Sequence, residues 1–223
     1  RFHFTARRGW INDPNGLIHF KGQTHLFFQH HPARPEPGPM HWGHAVGKDL
    51  IHWKELGSAL KPDKPYDAAQ GCWSGTAAAD GRGLALLYTG ARKEPKPPQQ
   101  VCLATSVDGK TFLKHPKNPV IPGPPQGFGD DFRDPKLWRE AKTWKALVGA
   151  SRKGRGCVLL YHSTDLVAWE YQGVFAESDG SQGSMWECPD FFPLGGKDVL
   201  IVSPLGLGAT KTLALVGKRD GSG

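Results

Sequence analysis

Long apolar runs are missing from this sequence. No stretch approaches the ~20 consecutive apolar residues that a helix needs to cross a bilayer, so a helical membrane span is excluded. Cysteine is sparse, with Cys72, Cys102, Cys157 and Cys188 showing neither C-x-x-C spacing nor a metal-ligand pattern. Each lies in or beside an apolar stretch and reads as a small buried residue. Unpatterned cysteines point to the cytoplasm, with secretion as the alternative. No leader is visible, and the chain opens at Arg1 almost on top of its first motif, which reads as a trimmed N-terminus. Clustered positive charge is lacking too. The 28 Lys and Arg outnumber the 21 Asp and Glu, but no basic run exceeds two residues, which argues against a nucleic-acid partner.

A sustained helical period is the last absence, and it directs attention to strands. Glycine (29) and proline (19) are plentiful and dispersed, the pattern of many short strands joined by turns. Eight Trp and eleven Phe supply bulk for a core or a sugar platform, and 223 residues suit one large all-β domain. Gly16–Phe20 and Thr24–Gln29 flank a turn at Lys21-Gly22, and Leu84–Tyr88, Val101–Ser106, Trp144–Ala150 and Cys157–His162 read as further strands.

A repeat runs through these strands. Asp49 to Trp53, Asp108 to Phe112 and Asp165 to Trp169 each place an aromatic four residues after an aspartate, at spacings of 59 and 57. Each segment follows one apolar stretch and precedes another, as a hairpin turn does. Asp220-Gly221 reads as a fourth copy. Units of under sixty residues have room for four strands, and one such unit cannot bury both faces alone. Radial repetition into a β-propeller solves this, an irregular sandwich being the alternative. The expectation is one incomplete propeller domain over residues 1–223, with blades at about 10–60, 70–120, 130–175 and 183–223.

Three motifs carry candidate chemistry. In Trp10-Ile11-Asn12-Asp13-Pro14-Asn15-Gly16 the proline biases Asp13 to an extended backbone, which suits a nucleophile held at a strand entrance. Standing alone, Asn-Asp-Pro reads as an Asx-type turn. Phe132-Arg133-Asp134-Pro135 sets a second carboxylate beside a guanidinium that favours its ionised form; alone it reads as a solvated surface pair. Met185-Trp186-Glu187-Cys188-Pro189-Asp190 places Glu187 between a large ring and a thiol, surroundings that suit a general acid. Asp190 is an equal candidate on spacing. Asp13, Ser74, Asp134 and Glu187 precede their respective repeat turns by 36, 34, 31 and 33 residues, so each blade is expected to offer one polar group to a common pocket.

Together these motifs resemble glycoside hydrolase family 32, the invertase and fructan-hydrolase family. Phe27-Phe28-Gln29, His41-Trp42-Gly43-His44-Ala45, Trp73-Ser74-Gly75 and Leu87-Tyr88-Thr89-Gly90 support the likeness, which runs from Phe2 to about Gly217. The resemblance implies a five-bladed propeller, here cut to about four blades, with the C-terminal β-sandwich that follows it in the family absent. It implies hydrolysis of β-fructosides such as sucrose, sucrose 6-phosphate or fructans with retention of configuration. By position it makes Asp13 the nucleophile, Glu187 the acid/base and Asp134 the transition-state stabiliser, with Arg133 also on the fructose hydroxyls. Asn12, Gln29, Trp73 and Ser74 would hold the fructosyl unit and Trp10 would line the pocket. A retaining pair keeps its carboxyl groups about 5–5.5 Å apart. The scheme needs a small sugar as partner and no metal or cofactor, and His41 and His44 read as structural.

One departure concerns specificity. Family members often carry a substrate-contacting Trp shortly before His-Trp-Gly-His, and Arg34-Pro35-Glu36-Pro37-Gly38-Pro39 has none. Two other functions remain open at this level: an inverting, arabinan-type propeller hydrolase with carboxyls about 6.5–9.5 Å apart, and a non-catalytic carbohydrate-binding propeller. The sequence sets no oligomeric state.

Overall fold

A computed structural model describes residues 3–209 and 212–218, and among them every regular element is a β-strand. The chain divides into two compact units, Arg1–Pro122 and Gly123–Gly223. The first unit holds two four-stranded antiparallel meanders. One runs β1 (Trp10–Phe20), β2 (Gln23–His31), β3 (His41–Gly47) and β4 (Trp53–Leu60). The next runs β5 (Gly71–Ala79), β6 (Leu84–Ala91), β7 (Gln99–Ser106) and β8 (Leu113–Lys114). The second unit holds β9 (Phe132–Glu140), β10 (Thr143–Arg152), β11 (Arg155–Ser163) and β12 (Glu170–Glu177), then β13 (Met185–Leu194), β14 (Lys197–Leu205) and β15 (Leu213–Gly217). These are propeller blades, three with four strands and the last with three among the described residues.

The repeated aspartate explains itself in the turn before each fourth strand. Asp49 Oδ1 accepts the N–H groups of Ile51 and His52, Asp108 Oδ1 those of Lys110 and Thr111, and Asp165 Oδ1 those of Val167 and Ala168, all at 2.8–3.0 Å. These donors hold all three carboxyls below the ordinary aspartate range. The following residue turns left-handed, with φ of 62° at Leu50, 72° at Gly109 and 69° at Leu166. The aromatic then closes the turn: Trp53 and Trp169 donate their indole N–H to the Leu50 and Leu166 carbonyls. Phe112 has no N–H to give and packs edge-on against Phe27 and His44 instead. The proposed fourth copy, Asp220-Gly221, lies outside the described residues.

Each unit buries an apolar layer between its two sheets. In the first, Phe27, Trp42 and Leu60 meet Leu86, Tyr88, Cys102 and Ala104. In the second, Leu147, Val158 and Leu160 meet Trp186, Phe191, Leu200 and Val202. Burying such side chains stabilises each unit by about 1.5–3 kcal/mol per large residue before entropy is counted. Cys72, Cys102 and Cys157 sit in this interior as expected, whereas Cys188 is exposed. The difference arises from its backbone, which turns to φ 47° inside a bulge and swings the thiol out of the core face.

Candidate active site

The candidate residues gather where the first strand of each sheet breaks its ladder. The register slips between Ile11 and Pro14 in β1, Trp73 and Gly75 in β5, Arg133 and Lys136 in β9, and Glu187 and Asp190 in β13. Bulges re-aim side chains and free backbone groups from pairing. Here they contain or border Asp13, Ser74, Asp134 and Glu187. The shared phase predicted from the repeat therefore corresponds to a shared irregularity on equivalent strands.

In the first unit, the Ser74 hydroxyl donates to Asp13 Oδ2 at 2.7 Å. Asp13 is half-buried and Ser74 buried. The Trp10 indole donates at 3.0 Å to Oδ1 of Asn12, an exposed residue. Gly75 is demanded by close approach, because a Cβ there would lie 2.1 Å from the Leu87 carbonyl oxygen. Gln29 is only 3% exposed, and its Nε2 donates to the Cys72 carbonyl at 3.0 Å. The half-buried Trp73 donates its indole N–H to Gln70.

In the second unit, Arg133 is buried and multiply engaged. Its Nε and one terminal nitrogen reach Glu187 Oε1 at 3.0 and 2.9 Å, and the other terminal nitrogen reaches Asp131 Oδ1 at 2.6 Å. Burial opposes its charge, but Asp131, Asp134 and Glu187 outweigh that penalty and raise its pKa. Asp134, at φ 60°, accepts the Cys188 N–H at 3.0 Å, with the thiol 3.5 Å away. Lys136 Nζ lies 2.5 Å from Asp190 Oδ1, an ion pair without aligned hydrogen-bond geometry. The pairs 133–187, 134–188 and 136–190 share one offset of 54, so the two bulged strands are locked rung by rung.

Two expectations change here. Arg133 and Asp134 are each 7% exposed, not a solvated surface pair. Glu187 faces the Arg133 guanidinium instead of an apolar wall, because Trp186 points to the opposite face and is fully buried. Sequence reasoning also passed over Asp131, two residues before Arg133, and gave no role to Trp42 and Thr89. Trp42 donates its indole N–H to the Trp73 carbonyl at 2.9 Å, and Thr89 its hydroxyl to the Ser74 carbonyl at 3.1 Å. Both stood in motifs supporting the family resemblance, which was the available signal. No cluster of metal-ligating side chains occurs among the described residues.

The family described as glycosyl hydrolases family 32, N-terminal domain, matches residues 3–221. The chain belongs to this family. Among curated relatives of the family 32 chain, sucrose-6-phosphate hydrolase of Escherichia coli is 46% identical over 215 residues, 93% of this chain and 44% of the relative. Raffinose invertase of Escherichia coli is 45% identical over 213 residues, covering 92% and 44%. The solved GH32 β-fructofuranosidase of Bombyx mori superposes with a TM-score of 0.90 at 42% identity, covering 98% of this chain and 48% of that one. The family 32 chain thus spans less than half the length of these proteins.

Proposed function

We propose that this chain is the part of a retaining β-fructofuranosidase that carries its three working carboxylates, and that sucrose or a close β-fructoside is the substrate. The observation that carries the reading is the placement of Asp13, Asp134 and Glu187 at ladder breaks of a family 32 chain, each with a hydrogen-bond donor already aimed at it. Names of relatives support the substrate class: a sucrose-6-phosphate hydrolase, a raffinose invertase and a Bombyx mori enzyme solved in complex with sucrose.

The chemistry follows from those groups. Asp13, ionised and hydrogen-bonded by Ser74, attacks the anomeric carbon of the fructosyl unit as the bond to the leaving oxygen breaks. Glu187 gives that oxygen its proton. A covalent fructosyl–Asp13 ester remains, and Glu187, now a carboxylate, deprotonates the water that hydrolyses it, so configuration is retained. Positive charge grows on the ring carbon in both steps, and the Asp134 carboxylate stabilises it while Asp134 and Arg133 hold ring hydroxyls. Asn12, Gln29, Trp73 and Ser74 complete the fructosyl subsite, with Trp10 along its wall. No metal or cofactor takes part in these steps.

The test is kinetic and uses the intact protein. With sucrose as substrate, Asp13→Ala should lower kcat by about 10⁴-fold or more with an unchanged melting temperature. Glu187→Gln should lose turnover of sucrose and regain part of it when azide is added with an activated fructoside. Full activity of Asp13→Ala would remove the nucleophile assignment, and an inverted first product would remove the retaining mechanism.

A further inference from the structure

The β5 bulge poses an accounting problem that the proposed chemistry leaves unused. Where β5 slips against β6 between Trp73 and Gly75, Ser74 has no partner in the ladder. The carbonyls of Cys72, Trp73 and Ser74 each accept a donor from a side chain on a different strand. Gln29 of β2 takes Cys72 at 3.0 Å, Trp42 of β3 takes Trp73 at 2.9 Å, and Thr89 of β6 takes Ser74 at 3.1 Å. All three donors are essentially enclosed, at 3%, 0% and 0% exposure. Cys72 and Trp73 still face Gly90 and Thr89 in the register, and only Ser74 is skipped. A carbonyl at such a slip, shut away from water, costs free energy unless a donor is supplied, so these side chains stabilise the bulge itself.

The bulge has one chemical output, the Ser74 hydroxyl directed at Asp13 Oδ2 at 2.7 Å. We infer that Thr89, assisted by Trp42, is a positioning residue for the nucleophile: it holds the Ser74 peptide so that the hydroxyl orients Asp13. The inference rests on the reading of Asp13 as the nucleophile. Neither side chain needs to meet the sugar, because both are buried behind the β5 backbone. Their contribution therefore falls chiefly on the chemical step, with any effect on affinity passing only through Ser74, since hydrogen-bond geometry at a reacting carboxylate must hold within a fraction of an ångström.

Thr89→Val and Thr89→Ser separate this role from packing. Valine keeps the shape and removes the donor, whereas serine keeps the donor and removes a methyl group. In the intact protein, Thr89→Val should lower kcat for sucrose about tenfold with KM within about twofold, and Thr89→Ser should restore most of the loss. Trp42→Phe, which removes the neighbouring donor and keeps an aromatic ring, should shift kcat in the same direction, and it decides the matter by the same criterion if the valine variant does not fold. A kcat equal to wild type in the folded variants overturns the inference, as does a loss that appears in KM alone or one that serine fails to reverse. Asp13→Ala is run beside them. If that variant keeps full activity, the nucleophile assignment has failed; if it is inactive while Thr89→Val is normal, only the positioning role has failed.

Discussion

In the first unit, Asp13 is served by the neutral Ser74 hydroxyl, on a segment whose Cys72, Trp73 and Ser74 carbonyls accept the neutral donors Gln29, Trp42 and Thr89 in turn. In the second, Glu187 is served by a buried guanidinium that also engages Asp131, and Asp134 by a backbone N–H. The difference fits the tasks proposed for them. A nucleophile has to leave its hydrogen bond for a covalent one, which a hydroxyl permits at small cost. An acid/base group that changes charge twice per turnover stays close to a cation whose charge is permanent, and that cation keeps the site charged throughout the cycle.

Among the groups that support the carboxylates, removing the cation should give the largest effect. Arg133→Met keeps length and loses every donor to Glu187 and Asp131, leaving two carboxylates beside each other without a counter-charge. We expect kcat/KM to fall about 10³-fold, equivalent to ~4 kcal/mol of transition-state stabilisation. Arg133→Lys should recover little of it, because one ammonium cannot reproduce a fork that engages two carboxylates from different nitrogens. Steady-state rates with sucrose for both variants check this, and near-complete rescue by lysine would break the contrast between the units.

The first unit does bury an ion pair, but its place is structural. Asp67 is fully enclosed and accepts Lys114 Nζ at 2.6 Å, the Tyr88 hydroxyl at 3.1 Å and the Lys64 N–H at 3.0 Å. Asp67→Asn keeps the shape and leaves the Lys114 charge to Asp63, at 2.8 Å, and to the Lys61 carbonyl. Chemical denaturation should show a loss of ~3 kcal/mol, while kcat of the folded enzyme stays within about threefold. A loss of rate without a loss of stability would mean that charge serves the chemistry in both units.

Ser74→Ala tests the neutral arm directly. A hydrogen bond to a charged group contributes ~2 kcal/mol, so kcat/KM should fall about 30-fold with little change in melting temperature. The effect should stay well below that of Arg133→Met. Equal losses would erase the distinction between a neutral and a charged support.

Much of this arrangement could be read in the sequence, and the part that could not has a physical explanation. Asp49, Asp108 and Asp165 announce themselves because an Asx turn is made within five residues, so its chemistry is written locally. Asp13, Asp134 and Glu187 stood out through proline-bearing motifs and shared phase. What escaped was everything decided across strands. Arg133 beside Glu187 is a contact over 54 residues, and the flanking Trp186 misled because adjacent residues on a strand face opposite ways. The outward turn of Cys188 depends on a register slip against β14, which the sequence of β13 alone does not contain.

The smallest expected effect concerns acid, and it also divides the units. His25 and His44 are buried face to face, with Nδ1 of one 3.0 Å from Nε2 of the other and rings stacked at 5.1 Å. Burial lowers both, His44 to about 3, and it lowers His41 to about 4 in the same unit, with help from His30, His31, Lys61 and Lys114. In the second unit only His162 is shifted among the described residues, also downward through burial. A histidine kept neutral in the fold binds its proton in the unfolded chain near pH 6.5, so the unfolded state gains protons first as acid is added. Stability is therefore complete above pH 6.5 and declines as pH falls toward 3, by up to ~1.4 kcal/mol per pH unit for each such group. Asp49 and Asp108, held below the ordinary range, lose their contribution only around and below pH 4, so the interval from pH 7 to 5 isolates the histidines. Urea unfolding across that interval should show a falling midpoint, and His44→Gln, which keeps a polar partner for His25 but removes one of the four shifted histidines, should make the fall measurably shallower. An unchanged slope in that variant would move the acid sensitivity away from the His25–His44 pair.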